Sequence, residues 1–256
     1  MKRLLKVIFG FNAISLRHLL RLRFVRFFNA CENAFSASRF TNSDLRDNPR
    51  IPEMTLGDIL AERKPVIRLS VSRYEDGQLP TVDALVLLSI LVAEAPGEIL
   101  EIGTFMGSTS RQMAENLPGG FIHTVDLPEG FSANSNSEAR LPKDDFHLIG
   151  QRMVGREFKE SEFAPRIRQH FFDTAEWDFS EARKARFFFI DGSHTYEYCK
   201  NDSEKCFALC RGQGVFLWHD CDSSHPGVER FICEWRRLGR DIKRIKGSSI
   251  AYWKGP

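Results

Sequence analysis

The chain has 256 residues, of which 42% are hydrophobic, and it contains 22 phenylalanines. This length allows one α/β domain with an extension, or two small domains, and the composition supplies enough apolar side chains for a sizeable core. The net charge is only +2, which gives no indication of a nucleic-acid-binding protein.

Residues 1–50 are predicted to form a basic amphipathic extension and a linker. The first 31 residues contain seven Lys or Arg and no acidic residue, and apolar side chains interleave with the arginines. Such a segment can lie on an anionic membrane surface, or it can pack on a partner subunit or on the rest of the chain. The apolar run 7–16 is too short to span a bilayer. Peripheral membrane contact through residues 1–30 and a homo-oligomer are therefore both left open.

Residues 51–256 are predicted to form one α/β domain in which helices and strands alternate. The predicted helices are 81–94, 107–117, 195–210 and 226–238. The predicted strands are 98–102, 121–126, 167–172, 186–191 and 214–219. Because these strands are apolar without alternation, a mostly parallel sheet with helices on both faces is expected. Residues 241–246 and 250–254 resemble a terminal hairpin, which would add an antiparallel C-terminal strand.

Residues 128–165 interrupt this alternation. The segment contains Pro128, Gly130 and a serine- and asparagine-rich run over 132–137. Long irregular connections in compact domains are often lids or binding loops. We therefore predict a lid-like cover over a binding site, with a surface insertion without function as the alternative.

Six cysteines are present, and none of them forms a Cys-x-x-Cys pair. This spacing disfavours a zinc ribbon and a thioredoxin-like redox site. Cys199, Cys206 and Cys210 recur at helical spacing, which is typical of small buried apolar side chains in a reducing compartment. We therefore expect a cytoplasmic protein.

The turn after the strand at 98–102 is the most informative stretch. It reads Glu101-Ile102-Gly103, and Gly107 follows at the start of a helix. A glycine turn between a strand and a helix lets a ligand approach the backbone at the positive end of the helix. The spacing lacks the middle glycine of the dinucleotide fingerprint G-x-G-x-x-G. The acid before the first glycine disfavours a pyrophosphate and suits an ammonium group. The alternative is a plain strand-to-helix turn that binds no ligand.

Acidic residues occur at the ends of all five predicted strands. They are Glu101, Asp126, Asp173, Asp191 and Asp220. Open parallel sheets bind ligands at this edge; there, Asp126 suits ribose hydroxyls and Asp173 suits an adenine amino group. Each acid alone has an ordinary interpretation as a turn or helix cap, but five consecutive strand ends favour a ligand site.

These motifs resemble those of class I S-adenosylmethionine-dependent methyltransferases. More narrowly, the chain is similar to small O-methyltransferases related to macrolide sugar O-methyltransferases and cephalosporin-hydroxylase-like proteins. The resemblance covers residues 80–254 and implies a Rossmann-like fold. Besides the glycine turn, it depends on Val125-Asp126, Val154-Gly155-Arg156-x-Phe158, Ile190-Asp191-Gly192-Ser193-His194-x-Tyr196, Asp202 and Gly214-Val215-x-Leu217-Trp218-His219-Asp220.

The resemblance also implies roles for matching residues. S-adenosylmethionine would be bound by Glu101, Gly103, Thr104, Gly107, Ser108, Asp126, Asp173 and Thr174. In the sugar-modifying relatives, the aspartate matching Asp191 is a metal ligand and the histidine matching His194 is the proposed base, so both are predicted to be catalytic.

A divalent cation, Mg²⁺ or Mn²⁺, would be held by Asp191, Asp220 and His219. The relatives have an acid where this chain has His219. An imidazole is a poor ligand for Mg²⁺, whereas it suits Mn²⁺, Fe²⁺ or Zn²⁺. Asp222 is a further oxygen donor, and a site that works without a metal is also open.

The expected activity is methylation of a hydroxyl on a sugar, a glycan or a small metabolite. A nicotinamide-dependent oxidoreductase is one alternative, which the missing glycine disfavours. A non-catalytic cofactor-binding or membrane-associated scaffold is another, which the altered acidic pair favours. A nucleic-acid substrate is not expected, because no Asn-Pro-Pro-Tyr-like stretch follows a strand and no broad basic patch is present.

Overall fold

The computed structural model describes residues 51–70, 77–128 and 153–256. The predictions for residues 1–50, and those for residues 129–152 of the expected cover, lie outside these ranges. Within the described ranges, every helix is too short or too polar to cross a membrane.

Eight strands and six α-helices are present in the described part of the chain. The strands are β1 (Glu53–Met54), β2 (Glu98–Ile102), β3 (Phe121–Asp126), β4 (Ile167–Phe171), β5 (Phe187–Ile190), β6 (Val215–Trp218), β7 (Lys243–Ile245) and β8 (Ala251–Lys254). The helices are α1 (Leu56–Leu60), α2 (Thr81–Glu94), α3 (Ser108–Asn116), α4 (Arg156–Lys159), α5 (Tyr196–Cys210) and α6 (Pro226–Arg237). Each strand and helix predicted from residue 81 onward is found within two residues of its expected ends, as are the two hairpin strands.

The strands form one sheet in the order β1-β7-β8-β6-β5-β2-β3-β4. β8 is antiparallel to both of its neighbours, and the other pairs are parallel. The predicted fold, a mostly parallel sheet with an antiparallel C-terminal strand, is therefore confirmed. The chain runs outward from β2 to β3 and β4, and then returns to place β5 on the other side of β2. The strand order thus reverses between β2 and β5, where open α/β sheets bind their ligands.

Strand β5 shows why helices must cover both faces of the sheet. Phe188 and Ile190 belong to one apolar cluster, whereas Phe187 and Phe189 belong to another. Successive side chains of a strand point to opposite faces, so an uninterrupted apolar strand needs cover on both. Residues of α5 and α6 complete the first cluster, and residues of α2 and α3 complete the second.

The end of the predicted irregular cover is more regular than expected. Residues 153–166 contain α4, and this segment is hydrogen-bonded to the glycine turn. The amide of Gly155 donates to the carbonyl of Phe105 at 2.9 Å, and the amide of Glu157 donates to that of Met106 at 2.8 Å. A four-residue helix is too short to show apolar periodicity, which explains why the sequence did not predict it.

Candidate active site

Gly103 brings the ends of β2 and β5 together. Its φ angle is +97°, and a Cβ atom there would lie 2.0 Å from the carbonyl oxygen of Asp191. The amide of Asp191 donates to the carbonyl of Ile102 at 2.9 Å, and that of Gly103 donates to Val125 at 2.9 Å. Only glycine permits this approach, so Gly103 determines the position of the Asp191 backbone and therefore of its carboxylate.

The remainder of the glycine turn is shaped by the protein itself. Gly107 has a φ of +84°, and a Cβ there would lie 2.5 Å from the ring of Phe158 and 2.9 Å from Gly155. Phe105 has a φ of +49°, a left-handed conformation that costs about 1–3 kcal/mol in a residue other than glycine. The packing of α4 therefore requires Gly107, whatever ligand the turn binds.

Asp126, at the end of β3, holds the strained turn. One carboxylate oxygen accepts from the amide of Phe105 at 2.8 Å, and the other accepts from the amide of Leu127 at 2.7 Å. The side chain is half-buried. Because both carboxylate oxygens accept from backbone amides, Asp126 links the end of β3 to the turn.

Glu101 lies beneath the turn and is fully buried. Its Oε2 accepts from the hydroxyl of Thr124 at 2.6 Å and from that of Ser110, whereas its Oε1 has no hydrogen-bond partner among the described residues. Burial, reinforced by the nearby Asp191 and Asp126, raises the pKa of this carboxyl to about 8, although the two hydroxyls oppose the shift. The carboxyl of Glu101 therefore lies close enough to Asp191 and Asp126 for their negative charges to disfavour its ionised form.

Thr104 and Ser108 occupy different surroundings. The hydroxyl of Thr104 is buried, lies 2.7 Å from that of Thr124 and accepts from the Gln169 amide at 3.0 Å. This hydroxyl is therefore committed to the fold, and any contact of Thr104 with a ligand would involve its backbone. Ser108 is half-buried and is the first residue of α3, at the positive end of that helix.

Asp173 and Thr174 follow β4 and are tied to α5. Both carboxylate oxygens of Asp173 lie 3.2 Å from the hydroxyl of Tyr198, and one also accepts from the amide of Ala175 at 2.9 Å. The carbonyl of Thr174 accepts from Lys205 at 2.6 Å. Asp173 is half-buried, so its contact with an adenine ring stays a prediction.

His219, at the end of β6, lies among three carboxylates. Its Nδ1 is 2.9 Å from an oxygen of Asp191 and 3.1 Å from an oxygen of Asp220, and its Nε2 is 3.1 Å from an oxygen of Asp83. The sequence did not predict Asp83, which belongs to the first turn of the apolar helix α2. An acid at that position is ordinarily explained by the helix dipole, and no signal in the sequence connects it to His219.

The three carboxylates around His219 favour a positive charge between them. Burial opposes protonation of His219, but Asp191, Asp220 and Asp83 raise the pKa of its imidazole well above the usual range. Burial also disfavours the charged form of Asp220, yet hydrogen bonds from His194 and His219 hold the pKa of this carboxyl below its usual range. The space beside Nδ1 therefore suits either a proton or a metal ion.

His194 lies on the other side of Asp220. Its Nε2 is 2.7 Å from the same Asp220 oxygen that faces His219. His194 is half-buried and precedes Thr195, whose side chain caps the start of α5. Asp220 itself has a φ of +55°, a strained conformation of the kind that clusters at functional sites. A histidine that a half-buried carboxylate orients in this way is suited to accept a proton from a substrate.

His225 is a further histidine that the sequence reasoning missed. Its ring centroid lies 4.5 Å from that of His194, and its Nδ1 lies 3.1 Å from Asp222 and 3.6 Å from Asp220. The hydrogen bond from His225 lowers the pKa of Asp222. Asp222, which the sequence suggested as an additional donor, is thus engaged with His225.

Two overlapping groups in the described ranges could hold a metal ion, and both include Asp220. One consists of Asp191, His219 and Asp220, and the other consists of His194, Asp220 and His225; within each group the ligand atoms lie within 4.8 Å of one another. The first group contains all three residues that the sequence predicted as ligands. Two carboxylates with an imidazole suit Mn²⁺, Fe²⁺ or Zn²⁺ better than Mg²⁺.

Comparisons with known proteins give the following matches. A family profile described as a methyltransferase domain matches residues 100–221. No curated protein matches the chain in sequence. Among solved structures, the SAH-bound methyltransferase PaMTH1 of Podospora anserina has a TM-score of 0.50 at 14% identity, covering 86% of this chain and 95% of its own.

Two further structures are similar at lower TM-scores. The O-methyltransferase TomG of Streptomyces achromogenes, in complex with SAM, has a TM-score of 0.47 at 18% identity and covers 86% of this chain and 98% of its own. CalS11, a TDP-rhamnose 3′-O-methyltransferase of calicheamicin biosynthesis, has a TM-score of 0.46 at 18% identity and covers 68% of this chain and 79% of its own. Structural similarity at such identities informs only about the fold.

Proposed function

We propose that this chain, whose residues 100–221 match a methyltransferase-domain family, transfers a methyl group from S-adenosylmethionine to a hydroxyl of a sugar, a glycan or another small metabolite. The observation that carries the proposal is the His194–Asp220 pair, which lies at the same sheet edge as the glycine turn. A donor held at the turn and an acceptor held at the pair would meet where the strand order reverses.

The glycine turn and Asp126 supply the donor half of the site. The turn lies at the positive end of α3, and Asp126 offers a charged acceptor to the two ribose hydroxyls. The donor carries a positive sulfonium, and Asp126 and Asp191 provide compensating negative charge. Because Glu101 is buried and accepts hydrogen bonds from Thr124 and Ser110, it supports the turn from below; its contact with the ammonium group of the donor stays a prediction.

The His194–Asp220 pair supplies the acceptor half of the site. Methyl transfer is an in-line displacement at the sulfonium methyl, so the protein must align the two substrates and remove the acceptor proton. A sugar hydroxyl is a very weak acid and needs a base at hand. Asp220 orients the ring of His194 and stabilises its protonated form, which suits His194 to that task.

A divalent ion held by Asp191, His219 and Asp220 is part of the proposal. When bound, such an ion would polarise the acceptor hydroxyl and make it easier to deprotonate. Asp191 and Asp220 contribute charged oxygens, and His219 contributes a nitrogen that favours Mn²⁺ over Mg²⁺. Peripheral membrane contact through residues 1–30 and a cytoplasmic location stay predictions.

The test is to supply the full chain with S-adenosylmethionine, a panel of sugar and small-metabolite hydroxyl acceptors, and either Mg²⁺ or Mn²⁺. We expect S-adenosylhomocysteine to form with at least one acceptor, and to form faster with Mn²⁺. Tight donor binding without turnover over the whole panel would favour the scaffold alternative. Binding of a nicotinamide dinucleotide in preference to the donor would overturn the proposal.

A further inference from the structure

The buried contact between Asp83 and His219 determines which nitrogen of the histidine faces the site. Nε2 of His219 lies 3.1 Å from an oxygen of Asp83. An ionised carboxylate only accepts hydrogen bonds, so Nε2 must carry the hydrogen. In the neutral imidazole, the lone pair then belongs to Nδ1, which faces Asp191 and Asp220 at 2.9 and 3.1 Å. Three electron-pair donors therefore converge on one point.

Asp83 is itself held in place by the far end of the chain. Its Oδ1 accepts from the amide of Ser249 at 3.1 Å, and its Oδ2 accepts from the Ser249 hydroxyl at 3.0 Å. The carbonyl of Ser249 in turn accepts from the amide of Cys221 at 2.8 Å. The carboxylate thus joins the start of α2, the turn between β7 and β8, and the loop after β6. Such buried anchoring leaves it little freedom to turn away from His219.

We propose that Asp83 is a positioning residue that makes His219 a metal ligand through Nδ1. This inference depends on the metal centre of the proposed function and extends it to a residue outside the predicted ligand set. Metal-binding histidines commonly donate their second N–H to a carboxylate, which fixes the ring and makes the ligand nitrogen more basic. Asp83 has this relationship to His219, and its negative charge also offsets the positive charge of a divalent ion.

The experiment measures Mn²⁺ binding to the purified full chain by electron paramagnetic resonance, with no methyl acceptor present. Asp83→Asn keeps the size of the side chain and removes its charge, and we expect it to weaken Mn²⁺ binding about 10–100-fold. Asp178→Asn is the matched control, because Asp178 is exposed and lies after β4. We expect the control to bind Mn²⁺ like the unmodified chain.

A second measurement does not depend on any variant folding. In the ¹⁵N-histidine-labelled chain, Zn²⁺ should shift the Nδ1 resonance of His219 into the metal-bound range while Nε2 stays protonated. Coordination through Nε2, or equal Mn²⁺ affinity of Asp83→Asn and the unmodified chain, would overturn the inference. Failure of the unmodified chain to bind Mn²⁺ or Zn²⁺ would overturn it as well. In that case, methyl transfer measured in the presence of EDTA would show whether the proposed function survives without a metal.

Discussion

The two halves of the candidate site are built in different ways. Around the glycine turn, close backbone approaches and the buried carboxyl of Glu101 shape the site, and the turn itself is one continuous stretch from Glu101 to Gly107. Around His219, charged side chains from distant elements converge: Asp83 and His219 are 136 positions apart. The first kind of construction leaves a motif in the sequence, whereas the second leaves only scattered residues.

Gly103 joins the two halves, and replacing it should have the largest effect. Gly103→Ala would place a Cβ 2.0 Å from the Asp191 carbonyl at a φ of +97°, which we expect to destabilise the fold by more than about 4 kcal/mol. Denaturant unfolding measures the loss. Gly97→Ala is the matched control, because nothing lies within 4 Å of the new Cβ there. Equal stability of the two variants would show that the strand ends can separate freely.

His194→Ala tests the half of the site around His219 and Asp220 without changing the glycine turn. Because His194 is the proposed base, we expect turnover to fall roughly 10²–10⁴-fold. Donor affinity, measured by calorimetry on the same variant, should stay unchanged, since the glycine turn is untouched. A variant that turns over at the normal rate would remove His194 from this role, and one that also loses donor binding would show that the two halves are not separate.

Glu101→Gln addresses the buried carboxyl beneath the turn. The pKa of Glu101 is raised from 4.5 to about 8 in the folded chain, so the unfolded chain releases this proton at lower pH. Stability from this group is therefore present below pH 4.5, decreases as the pH rises towards 8, and then levels off. Glutamine cannot ionise, so we expect the variant to gain about 2–4 kcal/mol relative to the unmodified chain between pH 5 and pH 8.5. If the free energies of unfolding of the variant and the unmodified chain depended on pH in the same way, the raised pKa of Glu101 would be contradicted.

Asp126→Ala should have the smallest effect of the four substitutions. The ribose hydroxyls of the donor would lose a charged acceptor that contributes about 1.5–3 kcal/mol, which calorimetry would detect as weaker S-adenosylmethionine binding. Asp126→Asn keeps an oxygen that can accept from the Phe105 amide, so it separates loss of charge from loosening of the turn. Unchanged affinity in the alanine variant would mean that the donor lies elsewhere.

Much of the fold could be predicted from the sequence because buried parallel strands are apolar throughout. The phenylalanine-rich β5 and the glycine turn were recognised for this reason, and both the fold and the resemblance to class I methyltransferases are confirmed. The strand β1 was missed, since two residues carry no periodic signal. Its role depends on parallel pairing with β7, about 190 positions away.

The site could be predicted only in part. Glu101 was expected to hold the donor, and this role stays a prediction. Its complete burial could not be predicted, because it depends on contacts with Ser110 and Thr124 that only the folded chain makes. Asp83 and His225 were not found, since each is ordinary in its local sequence. The orientation of His219 is likewise a tertiary property, and it determines whether this residue substitutes for the acid of the relatives.

One oxygen of Asp220 faces both His194 and His219, and this sharing has a consequence for how the site is dissected. Both rings interact with the same carboxylate oxygen, so a substitution of either histidine also changes the interaction of the other with Asp220. The rate losses of His194→Ala and His219→Ala should not sum in the double variant. The size of that shortfall measures how strongly a single carboxylate couples proton removal to cation binding.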